Sequence, residues 1–220
     1  MGQEINLLDR YPRSSRPIGQ RSSEITDADR AIARQFDESF FDSDRVHGYG
    51  GYNYHPRFWQ ETVKRIRDHY RLADDAKILD VGCAKGFMLY DFKELMPNLN
   101  IAGIDVSEYA IGKAIEPVKD YVRVADARKL PFPDNSFDLV ISINTVHNLD
   151  LEDCKQSIME IQRVTSKDAF ITVDAWYTDD GRRSFIDWNL TALTYMHVDD
   201  WKNLFAEVAY QGDYYWFFAE

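Results

Sequence analysis

Residues 78–86, with the sequence ILDVGCAKG, constrain the fold more than any other part of the chain. Four mostly apolar residues predict a buried strand, and the turn that follows opens a predicted helix at Phe87. Small residues at Gly82, Ala84 and Gly86 allow a ligand to lie against the backbone, because no large side chain stands in its way. The spacing is G-x-A-x-G, which differs from the G-x-G-x-x-G of dinucleotide-binding folds.

Short apolar runs alternate with helical stretches from residue 77 to residue 176. Strands are predicted over 78–81, 101–104, 122–124, 139–143 and 170–173, with helices over 87–95, 107–115 and 151–164. This alternation predicts βαβ units, a parallel sheet and helices on both faces of it. A helix over 199–209 and an aromatic strand over 213–219 follow, and we expect that last strand to be antiparallel.

The first 72 residues precede the predicted sheet. Residues 1–25 carry Arg10, Arg13, Arg16 and Arg21, and they predict a mobile basic tail. Helices are predicted over 27–41 and 57–70, and a loop rich in glycine and tyrosine lies between them. That loop has two interpretations: a closing lid that uses Tyr49, Tyr52 and Tyr54, or an aromatic staple between the N-terminal helices and the sheet.

We therefore expect one domain over residues 26–220, in three parts. Residues 26–72 would contain the N-terminal helices and the lid loop, residues 77–176 the cofactor-binding core, and residues 177–220 a segment on the substrate side.

Polar residues follow three of the predicted strands. Asp105 ends the second strand and could accept hydrogen bonds from both hydroxyls of a ribose, a feature shared with NAD enzymes. Asp126 follows the third strand, where a carboxylate could accept from the exocyclic amine of adenine. Asn144 ends the fourth strand, near the switch point at which ligands bind in such sheets. Together they predict a nucleotide-containing cofactor.

These motifs, in this order, resemble those of the class I S-adenosylmethionine-dependent methyltransferases of the small-molecule type. The matching stretches are LDVGCAKG, GIDVS, VADARKLPFPDNSFDLVISINTVHNL and VDDWKNLFAEVAY. The resemblance implies S-adenosylmethionine as cofactor and an α/β fold. That fold is a Rossmann-like, doubly wound sheet of seven strands, mostly parallel, with an antiparallel last strand and helices on both faces.

The resemblance also implies roles for individual residues. Asp105 would hold the ribose hydroxyls, Val106 would pack on adenine, and Asp126 would take the adenine amine with help from the backbone of Ala127. The main chain of Asn144 would lie near the methionyl amine. The pocket for the methionyl group and ribose would be shaped by Asp80, Gly82, Cys83, Ala84 and Gly86.

His147 is the candidate catalytic residue, because it follows the fourth strand and histidine titrates near neutral pH. It would act as a general base for a hydroxyl acceptor, or else pack beneath the cofactor. Trp176 and Tyr177 follow the fifth strand and are expected at the same mouth of the ligand site, as substrate or lid residues. Cys83 has no adjacent base and is interpreted as a packing residue. The histidine spacing predicts no metal site.

Composition limits the partners of the chain. The formal net charge of −11 disfavours nucleic acid, and no apolar run is long enough for membrane insertion. Two cysteines suit a reducing cytoplasm. The sequence thus predicts a cytoplasmic methyltransferase for a small polar metabolite, such as a sugar or sugar nucleotide. The alternatives are an NAD-dependent oxidoreductase and a non-catalytic module that binds a nucleotide cofactor.

Overall fold

A central β-sheet organises the chain. The computed structural model describes residues 2–12, 25–50 and 53–218. Within these residues the strands are β1 (Lys77–Val81), β2 (Asn100–Asp105), β3 (Val122–Val124), β4 (Phe137–Ile143), β5 (Thr165–Trp176), β6 (Met196–His197) and β7 (Asp213–Phe217). The helices are α1 (Asp27–Ala33), α2 (Glu38–Phe41), α3 (Gln60–Tyr70), α4 (Phe87–Leu95), α5 (Glu108–Gly112), α6 (Leu151–Val164), α7 (Asp179–Trp188) and α8 (Val198–Glu207). Two 3-10 turns span Glu116–Tyr121 and Val146–Asn148.

The strand order is β3-β2-β1-β4-β5-β6, and β7 also pairs with β5. Strand β1 is parallel to both β2 and β4, so the order of strands reverses between β1 and β4. In an open α/β sheet the crevice outside the carboxyl ends of the strands at such a reversal is the usual ligand site. The expected Rossmann-like sheet of seven strands is confirmed.

Strand β7 runs parallel to β5, with Phe170 opposite Asp213 and Asp174 opposite Phe217. This corrects the expected antiparallel orientation. After β5 the chain passes through α7 and β6, and α8 then returns it to the amino ends of the strands. The next strand therefore starts in the same direction, whereas an antiparallel strand can follow its neighbour through a short hairpin.

Both faces of the sheet are covered by helices, because successive residues of a strand point to opposite faces. In β1, Ile78 belongs to the core cluster that contains residues of α3 and α4, such as Ile66 and Phe92. Its neighbour Leu79 belongs to the cluster of α6 and α8, which contains Trp201. Burial on both faces explains why the central strands are almost wholly apolar.

The N-terminal residues 2–12 lie beside β7. The N–H of Ile5 donates to the carbonyl of Tyr214 (2.9 Å), and the N–H of Tyr214 donates to the carbonyl of Gln3 (3.1 Å). Leu7 is fully buried in the α3–α4 cluster. The expected mobile basic tail therefore does not describe residues 2–12, which cover the edge of the last strand. Residues 1 and 13–24 of that segment lie outside the described residues.

Candidate functional site

The turn after β1 has a backbone that small residues adopt most easily. Gly82, Ala84 and Gly86 have positive φ angles of 85°, 49° and 77°. A Cβ on Gly82 would overlap the side chain of Thr145, which follows β4. The N–H of Gly82 also donates to the carbonyl of Ile104 (2.8 Å). The turn is thus held against β2, and glycine at position 82 lets it pack closely against Thr145.

Two buried carboxyl groups lie beside this turn. Asp105 accepts from the N–H of Ala84 (2.8 Å) and from the N–H of Ser107 (2.9 Å), so it links the first turn to the end of β2. Burial raises its pKa. Burial, together with the charge of Asp105, raises the pKa of Asp80 to about 8. Asp80 therefore keeps its proton near neutral pH and can donate a hydrogen bond, while Asp105 offers oxygens that accept.

The predicted adenine contacts lie at the ends of β2 and β3. Val106 is 59% exposed, so its side chain is available to pack on a planar ring. The carboxylate of Asp126 accepts from the guanidinium of Arg128 at 2.6–3.0 Å, and this pairing lowers its pKa. Ala127 is half-buried next to it. An adenine amine at this place would have to share the carboxylate with Arg128.

Asn144 ends β4 in a left-handed conformation, with φ of 51°. Its N–H donates to the carbonyl of Thr172 (3.0 Å), and its Oδ1 accepts from the Thr172 hydroxyl (2.8 Å). Its own carbonyl accepts from Nδ2 of Asn148 (3.2 Å). The side chain therefore fixes the backbone of the turn after β4, and the carbonyl keeps a second lone pair.

His147 is buried, with only 3% of its surface exposed. Its Nδ1 accepts from the main-chain N–H of Asp174 (3.2 Å), so the proton of the neutral ring is on Nε2. This Nε2 lies 3.4 Å from the side-chain Oδ2 of Asp174. Burial lowers the pKa of His147 to about 3 and raises the pKa of Asp174 to about 7. His147 is therefore a buried, neutral packing residue just after β4, which does not favour the general-base interpretation.

The segment of residues 27–50 crosses the carboxyl ends of the strands. On one side, the Ser107 hydroxyl donates to the carbonyl of Phe36, and the Lys85 ammonium pairs with Asp42. Asp42 also accepts from the Tyr109 hydroxyl (2.9 Å). On the other side, α1 and Tyr49 contact residues 189–191. The segment thus bridges the glycine turn and the C-terminal region.

The aromatic residues expected at the mouth separate into two groups. The Tyr49 hydroxyl accepts from the N–H of Leu190 (2.8 Å), and the Tyr54 hydroxyl donates to Asp91 (2.7 Å). Trp176 packs against α7, and Tyr177 points away from the crevice to donate to Glu4. Tyr177 therefore does not share the mouth. Tyr52 lies outside the described residues.

A cavity of about 570 Å³ borders the lid segment and the glycine turn. It is lined by Asp42, Asn53, Tyr54, Lys85, Phe87, Lys113 and Ile115. The glycine motif predicts no role for Lys85, although a lysine between two small residues of a buried turn needs an anionic partner. The partner, Asp42, is distant in sequence and could not be identified from the motif.

Cys83 is buried, and burial raises the pKa of its thiol well above the usual range, so it is not a thiolate near neutral pH. Residues 2–12, 25–50 and 53–218 contain no cluster of three side chains able to hold a metal ion. The same residues form no helix with the length and apolar character needed to cross a membrane.

The glycine turn, Asp105 and Asp126 lie at the carboxyl ends of the strands, where a nucleotide-containing cofactor is expected to bind. Comparisons with known proteins agree with this expectation. A methyltransferase domain family matches residues 79–173. The YcgJ protein from Bacillus subtilis shares the fold, with a TM-score of 0.54 at 19% identity over 66% of each chain.

Two curated relatives are methyltransferases with different substrates in their names. Demethylmenaquinone methyltransferase of Symbiobacterium thermophilum is 33% identical over 50% of this chain and 43% of its own length. An Arabidopsis thaliana tRNA (carboxymethyluridine(34)-5-O)-methyltransferase is 32% identical over 59% of this chain and 31% of its own length. The chain thus spans less than half of either relative. The match of residues 79–173 to a methyltransferase domain supports a class I S-adenosylmethionine-dependent methyltransferase, with S-adenosylmethionine as cofactor.

Proposed function

We propose that this chain methylates a small polar metabolite, with a sugar or sugar nucleotide as the leading candidate. The observation that carries the proposal is the cover over the crevice: residues 27–50 contact both the glycine turn and residues 189–191. A covered crevice favours a small acceptor over a macromolecule. The net charge of −11 further disfavours a polyanionic nucleic acid.

The cofactor supplies a methyl group that its sulfonium already activates. The protein then has mainly to bind, orient and exclude water. The backbone of the glycine turn would support the methionyl group, Asp105 would accept from the ribose hydroxyls, and Asp126 would accept from the adenine amine. The carbonyl of Asn144 would accept from the methionyl amine. In this proposal His147 removes no proton and instead supports the loop above it.

The proposal is tested by calorimetry followed by a transfer assay. We expect the full chain to bind S-adenosylmethionine and S-adenosylhomocysteine, and not NAD. Mass spectrometry of a reaction with pooled small polar metabolites should then reveal a product heavier by one methylene. Binding of NAD in place of S-adenosylhomocysteine would support an oxidoreductase. Cofactor binding with transfer only to RNA or protein would contradict a small acceptor.

We also propose that residues 27–50 act as a lid that closes over the cofactor. The ion pair between Lys85 and Asp42 joins the lid to the glycine turn. Hydrogen exchange in this segment should therefore slow when S-adenosylhomocysteine binds, and Lys85→Gln should weaken that protection. Lys113→Gln, which alters the same cavity, is the matched control. Strong protection of the segment before ligand is added, unchanged afterwards, would identify a fixed structural layer.

A further inference from the structure

Three successive residues of the loop after α7 are each held by the lid segment. Nε of Arg30 donates to the carbonyl of Asn189 (3.2 Å), and Nε of Arg34 donates to the carbonyl of Thr191 (3.2 Å). Between them, the N–H of Leu190 donates to the Tyr49 hydroxyl. Asn189 and Thr191 are buried. These contacts position two guanidinium groups, four residues apart in sequence, along one loop.

That loop lies beside the carboxyl end of β4. The N–H groups of Leu193 and Thr194 donate to the carbonyl of His147 (3.0 and 2.9 Å), just after β4. At the other end, Phe36 is bonded to Ser107, just after β2. Arg34 lies two residues before Phe36, and its side chain reaches the loop. Arg34 thus belongs to a run of contacts that joins the end of β2 to the end of β4, on the two sides of β1, and ligands bind near this reversal of strand order.

The positive charge of Arg34 has no counter-ion among the described residues. Its one hydrogen-bond partner there is a neutral carbonyl, and its side chain is half-buried. Arg30 pairs with Asp27, which is fully exposed. The other acid of α1, Asp29, is already occupied by Thr26 and His47. A half-buried guanidinium with two unused terminal nitrogens is suited to bidentate binding of an oxyanion.

We infer that Arg34, with Arg30 beside it, binds an oxyanion of the methyl acceptor, either a carboxylate or a phosphate. The inference rests on the proposed function and specifies its substrate class: an anionic metabolite. The Nε bond to Thr191 orients the guanidinium and leaves its outer edge for the acceptor. Binding of the acceptor would then strengthen the contact between the lid and the C-terminal region, so acceptor binding and closure would be coupled.

The test uses the full chain saturated with S-adenosylhomocysteine, so that the cofactor crevice is already filled. Inorganic phosphate and acetate are titrated separately by calorimetry, which distinguishes the two kinds of oxyanion. Arg34→Gln should lower the affinity for the anion by about fivefold or more, because a charge-assisted bidentate contact is lost. Arg34→Lys keeps the positive charge but lacks the planar guanidinium, so its affinity for the anion should lie between those of Arg34→Gln and the unmodified chain.

Arg65→Gln is the matched control, because Nε of Arg65 also donates to a backbone carbonyl, that of Asn6 (3.1 Å), on a different surface. It should bind the anion as the unmodified chain does. If Arg34→Gln lowers the melting temperature, Arg30→Gln serves as the second variant, with a smaller loss of anion affinity expected. Equal anion affinity in the Arg34 variants and the unmodified chain would overturn the inference and leave Arg34 as a structural staple.

The cofactor carboxylate is the other anion that could reach this guanidinium. Arg34→Gln should leave the affinity for S-adenosylhomocysteine unchanged. If the variant instead loses affinity for S-adenosylhomocysteine but not for methylthioadenosine, which lacks the amino-acid part, Arg34 binds the cofactor and the inference is overturned. Failure of the unmodified chain to bind S-adenosylhomocysteine would overturn the proposed function itself, so the two failures are distinguishable.

Discussion

The main-chain N–H of Ala84 donates to Oδ2 of Asp105 across 2.8 Å, which joins the glycine turn after β1 to the end of β2. One carboxylate therefore shapes the turn, and we propose that it also accepts hydrogen bonds from the ribose hydroxyls. Charge-assisted hydrogen bonds contribute about 1.5–3 kcal/mol each. Asp105→Ala should weaken binding of S-adenosylhomocysteine at least tenfold, because about 1.4 kcal/mol corresponds to a factor of ten. Calorimetry measures the change.

Asp75→Ala is the control for this substitution, because Asp75 is exposed and lies outside the crevice. It should leave the dissociation constant unchanged. A folded Asp105→Ala variant that binds the cofactor as well as the unmodified chain would show that Asp105 does not hold the ribose.

The second prediction concerns the competition at Asp126. Arg128 donates to both oxygens of this carboxylate, so an adenine amine must share or displace it. Asp126→Ala should weaken binding of S-adenosylhomocysteine, while Arg128→Gln should maintain or improve it. S-Inosylhomocysteine lacks the amine and should bind the unmodified chain more weakly than S-adenosylhomocysteine. Equal affinity for these two ligands would rule out this role for Asp126.

The third prediction compares two positions in the glycine turn. Gly82→Ala places a Cβ against Thr145 at a φ of 85°, and we expect a destabilisation of at least about 1–2 kcal/mol from the left-handed backbone alone. Ala84→Gly relaxes a strained φ of 49° and should change stability by less than about 1 kcal/mol, because glycine also loses more entropy on folding. Urea denaturation measures both. Similar losses in the two variants would contradict this account.

The fourth prediction uses the buried pair His147 and Asp174. Folding lowers the pKa of His147 from 6.5 to about 3, so the unfolded chain binds this proton first and the free energy of unfolding decreases as the pH falls below 6.5. Folding raises the pKa of Asp174 from 3.8 to about 7, so the unfolded chain loses this proton first and the free energy of unfolding decreases as the pH rises from 3.8 towards 7. Between pH 3.8 and 6.5 these two effects of pH on the free energy of unfolding have opposite signs. The intact pair should therefore add little pH dependence to the stability of the chain.

Single substitutions should reveal each slope. Relative to the unmodified chain, His147→Gln should lose stability as pH rises from about 4 to 7, and Asp174→Asn should lose it as pH falls from about 6.5 to 4. Urea midpoints at several pH values measure both trends. The same pH profile in both variants would show that the pair is not held in its neutral form.

The sequence by itself determined the elements whose pattern is local and strong. Residues 122–124 and 151–164 form β3 and α6 with the predicted bounds, and residues 78–81 lie within β1. The strands are short apolar runs because both faces of the sheet are buried, and α6 has a helical period, so local pattern and tertiary burial favour the same structure. The positions of Asp105, Asp126 and Asn144 at strand ends followed from the same pattern.

The tertiary structure decided the features that depend on residues distant in sequence. The helix predicted over 27–41 is interrupted at Phe36, whose carbonyl accepts from Ser107, and the resulting α1 and α2 lie over the crevice. The direction of β7 depends on where α8 returns the chain. The burial of His147, the capture of Asp126 by Arg128 and the contact of Arg34 with Thr191 likewise arise from packing. Periodicity identifies which face of an element is apolar, but the partner of a polar side chain is set by the folded arrangement that brings distant residues together.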